Sequence, residues 1–210
     1  MAPQTKSHAA LLHAQTSSFL AALTPPSPPP SPPTLISDYF TPQNPTIYEH
    51  GPPFTQRLLP FLGRPFIGRD ECVRYFELMG AALELQIQKG SVSVSVDPDF
   101  VDDGDDFEKG ASQGNVGSEG SGGDGWKKCP GRAVATGRCR CVCRATGRAW
   151  DEHVVWVFGG FERSTGAGGG QDRVRFARWD IWADAASAWV AAGGGDAESV
   201  GWERGQERDG

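Results

Sequence analysis

The sequence predicts one α+β domain, with helices first and antiparallel strands after them, interrupted by polar insertions. Three observations lead there. Between Arg69 and Leu83 the residues Cys72, Phe76, Met79 and Leu83 recur at steps of four, three and four, one face of an α-helix. From Leu83 onward, and again over 132–158, the apolar period drops to two, as in strands with one buried face. The 28 Gly and 16 Pro among 210 residues exceed the usual share of roughly 12% and are clustered, which marks segments outside a packed core.

In chain order, residues 7–22 read as a helix, with Leu12, Thr16, Phe19 and Leu20 on one face. The run from Pro25 to Pro33 stops it. Such a run favours an extended path, either a stiff linker over 24–33 or a ligand for a proline-binding module, and the linker is preferred. Leu35, Ile36, Tyr39 and Phe40 form a short amphipathic turn, and Ile47-Tyr48 begins an extended segment leading to Glu49-His50-Gly51. The helix from Arg69 carries Asp70 and Glu71 at its start, where carboxylates complement the helix dipole. Leu83, Leu85 and Ile87, then Val92, Val94 and Val96, alternate with polar residues as two strands. Residues 97–130 are rich in Asp, Gly, Ser and Glu and are expected to be a disordered insertion, as are 193–210. The domain proper is thus expected over 1–23, 34–96 and 131–192.

The most informative stretch is 132–158. With Thr146-Gly147 as a two-residue hairpin loop, Cys143 opposes Trp150, Cys141 opposes Glu152, Cys139 opposes Val154 and Gly137 opposes Trp156. One face then holds Gly137, Cys139, Cys141, Cys143, Trp150, Glu152, Val154, Trp156 and Phe158, apolar with a single carboxylate. The other holds Arg138, Arg140, Arg144, Asp151 and His153, a solvated or partner-facing stripe. The run Cys139-x-Cys141-x-Cys143 lacks the paired spacing of zinc sites, so these thiols read as small inward hydrophobes and no metal is expected. A last strand spans about Val174–Asp184, and because both of its faces carry a tryptophan its orientation stays open.

Charge and hydropathy narrow the function. A net charge of −6 and a sequence pI of about 5.2 argue against nucleic-acid binding. No apolar run reaches the roughly 20 residues that span a bilayer. Five cysteines without framework spacing, behind an N-terminus that lacks a secretory pattern, lead us to expect reduced thiols and a cytoplasmic location. GAGGG at 166–170 lacks the strand–loop–helix setting of a phosphate-binding loop.

The segments PTIYEHGPPFTQRLLPFLGRPFIGRDECVRYFELM and RWDIWADAASAWVA, in this order of elements, resemble the SnoaL-like group of the nuclear-transport-factor-2-like superfamily, in particular uncharacterised fungal members. The resemblance covers about 34–96 and 131–192. It implies a cone-shaped, strongly bent antiparallel sheet with about three N-terminal helices packed on its concave face. It also implies a pocket for a small apolar molecule, chemistry without metal or organic cofactor, and room for a homodimer through the outer sheet face. The Pro-rich and acidic Gly-rich insertions do not belong to the shared pattern.

Glu152, among Trp150, Val154, Trp156 and Phe158, is the first catalytic candidate, since desolvation should raise its pKa toward that of a general acid or base. The other possibility is a structural carboxylate bonded to a helix end or a tryptophan N–H. His50 at the mouth of the cone could relay a proton, or simply be exposed. Asp180 lies where relatives carry acidic groups, while Asp184 is expected to cap the following turn. Tyr39, Tyr48, Trp150, Val154, Trp156 and Trp182 are the expected pocket lining, with core packing the alternative for the aromatics. Two functions from different classes follow: a cofactor-free lyase, cyclase or isomerase, and a non-catalytic ligand-binding or dimerisation module.

Overall fold

A computed structural model describes residues 7–24, 30–101, 126–164 and 172–195. The acidic run at 102–125, GAGGG at 166–170 and the tail beyond 195 lie outside the described residues. The described residues form four α-helices and eight strands in one mixed sheet: α1 His8–Ala22, α2 Pro32–Tyr39, β1 Thr46–His50, β2 Pro65–Ile67, α3 Arg69–Ala82, β3 Leu83–Ile87, β4 Ser93–Asp97, β5 Trp126–Lys128, β6 Arg132–Cys143, β7 Ala149–Ser164, β8 Arg173–Trp182 and α4 Ala185–Ala191. The sheet runs β2-β1-β8-β7-β6-β3, with β4 beside β6 and β5 beside β7. The fold is α+β, as the sequence predicts. No helix among the described residues is long and apolar enough to cross a membrane.

Local chemistry sets the helix starts. Ser7 and Ser31 cap α1 and α2 through their hydroxyl oxygens. Pro32 and Pro33 are not linker but the first turn of α2, where a missing N–H costs nothing. Helix α3 follows Gly68, whose φ of 89° few other residues adopt. All three helices bury apolar residues against one face of the sheet: Leu12, Phe19 and Leu20 from α1, Leu35 and Ile36 from α2, Cys72, Tyr75 and Phe76 from α3. Phe19 is a hub, with ring centroids of Phe40, Phe158, Phe176 and Trp179 within 4.9–5.9 Å. Burying one such ring stabilises the domain by roughly 1.5–3 kcal/mol.

Three further sequence-based expectations are corrected. The sheet is not wholly antiparallel, because β1 runs parallel to β8, with Tyr48 beside Asp180 and His50 beside Trp182. A strand this early in the chain reaches β8 as a late partner, and nothing local fixes its direction. Residues 126–128, expected within the insertion, pair with β7 as β5. The β6–β7 hairpin is shifted by two residues: Cys141 opposes Trp150 and Cys139 opposes Glu152.

The turn is longer than two residues because Gly147 N–H closes onto Cys143 O and Thr146 Oγ1 donates to Ala191 O, a tertiary bond to α4. A shift of two preserves faces where a shift of one would swap them. Cys139, Cys141, Cys143, Val154, Trp156 and Phe158 are accordingly buried, and Arg138, Arg140, Asp151 and His153 are exposed.

The bend of the sheet resolves the orientation of β8. Phe158 opposes Trp179 and Phe161 opposes Phe176, and all four are buried, although two residue pairs separate them. An unbent strand would send one pair outward. At the crossing, Gly160 has φ 62°, and a Cβ there would stand 2.9 Å from that of Ala177. Glycine lets β7 fold over at this point, so both Phe176 and Trp179 face the core.

Candidate functional site

Strand β1 sorts its side chains by alternation. Ile47 and Glu49 face the core beside Trp179 and Ile181, whereas Tyr48 and His50 face outward beside Asp180 and Trp182. Glu49 is thereby carried into an apolar interior, with 8% of its surface exposed. Helix α3 places Tyr75 opposite, and the Tyr75 O–H donates to Glu49 Oε2 at 2.5 Å. These two residues line a cavity with Glu152, Cys139, Cys141, Trp156, Trp179 and further aliphatic side chains from β3, β7 and β8. The space open to the centres of water-sized molecules is about 40 Å³, enough for roughly three waters or one small organic group.

Burial dominates the electrostatics here. Removal from water pushes the Glu49 carboxyl up to about 7, offset in part by the Tyr75 hydrogen bond and reinforced by the nearby Glu152 charge. Burial beside Glu49 holds the Tyr75 phenol well above its ordinary value. The Glu152 carboxyl is also raised, first by burial. Both of its oxygens are engaged: Cys141 Sγ–H donates to Oε1 at 3.1 Å, and the backbone N–H of Asp184 donates to Oε2 at 2.9 Å. Asp184 in turn accepts from the N–H groups of Ala186 and Ser187, capping α4 as the sequence suggests. Glu152 therefore ties the pocket wall to a helix start. Burial raises the Cys139 thiol to about 12 and pushes Cys141 up as well, so neither is a thiolate near neutral pH.

The three candidate catalytic residues do not share one site. Glu152 lines the cavity, while His50 and Asp180 meet on the opposite face of the sheet. There His50 Nε2 lies 3.3 Å from Asp180 Oδ1, and Arg178 Nε donates to Asp180 Oδ2 at 2.5 Å. Asp180 is only 3% exposed because this pair and its neighbours cover it. The His50 ring stacks on Trp182 at 4.2 Å and meets Tyr48 at 4.0 Å. The physical reason is parity: on β1 and β8, residues 48, 50, 180 and 182 share the outer side.

Of the six expected lining residues, Val154 and Trp156 line the cavity. Tyr39 packs on Phe19 and bonds Ser18, Trp150 is half-buried and outside the lining, and Tyr48 and Trp182 face away. The sequence reading missed Glu49 and Tyr75. The signals were present: Glu49 lies two residues after buried Ile47, and Tyr75 lies one helical turn from Cys72 and from Met79.

No protein-family model matches this sequence, and no curated protein matches it. Among solved structures, it is similar to a ketosteroid isomerase-like protein of Erwinia carotovora atroseptica SCRI1043, at 12% identity and a TM-score of 0.46, over 85% of this chain and 98% of that one. It is also similar to an NTF2-like protein of Burkholderia xenovorans LB400, at 10% identity and TM-score 0.48, over 85% and 93% of the two chains. A phenazine biosynthesis-related protein of Pseudomonas aeruginosa matches at 8% identity and TM-score 0.48, over 91% and 88%.

Proposed function

We propose that this chain is a small-molecule-binding domain of the SnoaL-like kind in which Glu49 moves a proton on an apolar ligand, without a cofactor. The observation that carries this reading is Glu49 itself: a buried carboxyl in an apolar cavity, held near neutrality and oriented by Tyr75. A group with a pKa close to ambient pH serves as base and acid in turn. As carboxylate, Glu49 takes a proton from a ligand carbon. The C–H bond breaks, an O–H bond forms, and the electron pair passes into an adjacent carbonyl or onto a leaving group. Returning the proton elsewhere completes an isomerisation, and loss of the leaving group completes an elimination. Glu152, with both oxygens engaged, positions the wall instead of reacting.

The narrow cavity favours ligands of a few heavy atoms, or a larger one admitted by movement of flexible Met79. The same narrowness supports a second reading, a binding module that performs no chemistry. Deuterium exchange into small ketones in D2O separates the two. The proton-transfer reading expects catalysed exchange that Glu49→Gln lowers by at least about 100-fold. Ligand-induced shifts in the spectrum of the protein without any catalysed exchange would leave the binding module.

A further inference from the structure

A second feature lies on the outer face of the sheet, where β6 changes partner. Strand β3 pairs with Cys139–Cys143 and β4 with Arg132–Thr136, so the connecting turn crosses β6 at Gly137 and Arg138. The turn is fixed there by three hydrogen bonds: Gln88 N–H to Arg138 O at 2.8 Å, Arg138 N–H to Ser91 Oγ at 3.0 Å, and Ser91 Oγ–H to Gln88 O at 2.7 Å. It borders a groove of about 430 Å³ lined by Lys89, Ser91, Thr136, Arg138 and His153.

Arg138 and His153 are direct cross-strand partners. Among the described residues no acid pairs with Lys89, Arg138 or His153. The next rung is different: Arg140 and Asp151 form an ion pair at 3.5 Å, and Gln88 also bonds Asp151. Lys89 and Arg138 thus bring two formal positive charges to the groove, beside the His153 imidazole, with no acid of the described residues paired to them. In a protein of net charge −6 the groove is a local reversal of sign.

We propose that this groove binds a small oxyanion of the phosphate class, either free phosphate or the phosphate group of a larger metabolite. The Arg138 guanidinium supplies a fork of N–H donors, Lys89 a mobile ammonium, and His153 and Thr136 further donors from adjacent rungs. The anion balances the charges of Lys89 and Arg138, and by binding the folded chain it stabilises the fold by mass action. This site is separate from the Glu49 cavity and does not depend on its chemistry.

The test is a titration of the full chain with inorganic phosphate, and separately with phenyl phosphate, at low salt in a phosphate-free buffer, followed by amide chemical shifts. Saturable shifts centred on 88–91, 136–138 and 153 are expected. The double variant Arg138→Gln, Lys89→Gln should weaken apparent affinity at least about tenfold, while Arg74→Gln, at an exposed position of α3, leaves it unchanged. Tighter binding of phenyl phosphate identifies a phosphorylated metabolite as the source, and equal binding identifies the free anion. A linear, unsaturated response, an equal response to chloride at matched ionic strength, or undiminished binding in the double variant would overturn the proposal. All three altered positions are exposed, so circular dichroism should report an intact fold for each variant.

Discussion

The hydroxyl of Tyr75, one turn into the buried face of α3, donates to Glu49 Oε2 from across the core at 2.5 Å, joining the helix to the only core-facing carboxylate of β1. This hydrogen bond favours the charged form of Glu49. Tyr75→Phe should therefore push the Glu49 carboxyl further up, and destabilise the domain by about 1–3 kcal/mol at pH 8, where the carboxylate loses its donor. At pH 5 the protonated acid depends on that donor less, and the loss should be smaller. Carboxyl titration by infrared or 13C spectroscopy, with denaturant unfolding at the two pH values, checks both.

Stability should fall as pH rises from about 4.5 to 7. The folded Glu49 carboxyl sits near 7, above its ordinary 4.5, so in this window the native state holds a proton that the unfolded state has released. The contribution is fully present below pH 4.5 and lost as pH passes through 7, about 3 kcal/mol in all as an upper estimate. Glu49→Gln should flatten this part of the curve. An unchanged slope in the variant would place the titration elsewhere.

Removing Glu152 acts through two partners. Glu152→Ala leaves the Asp184 N–H and the Cys141 thiol without their acceptor, and should cost about 1–2 kcal/mol. It should also lower the Glu49 carboxyl, since a nearby like charge is gone. Faster alkylation of Cys141 would report loosening of the wall between β6 and α4.

Gly160→Ala tests the bend in β7. The new Cβ meets Ala177 and the residue must hold a positive φ, so a loss of about 1–3 kcal/mol is expected. Gly159→Ala, where a Cβ has open space, should cost less, and thermal unfolding of the two variants compares them.

Periodicity marked the longer helices and strands, because the 3.6 and 2 periods report which side chains are shielded from water, whereas the three-residue strands β2 and β5 are too short to show a period. The face of Cys139, Cys141, Cys143, Glu152 and Trp156 was legible in this way, and it survived an error of two in the register because parity repeats every two residues. Only the tertiary structure decided what faces Glu152. His50 stood out as a histidine in a suggestive segment, yet its neighbour Glu49 enters the cavity, since β1 adds to β8 in parallel with Ile47 beside Trp179. That pairing joins residues about 130 positions apart, and no local propensity encodes it. The facing of β8 was undecided for a related reason: alternation assumes an unbent strand, and the fold at Gly160 puts Phe176 and Trp179 on the same side. The candidate site thus comes from one long-range pairing and one bend, which bring a short strand and a helix face together around a buried acid.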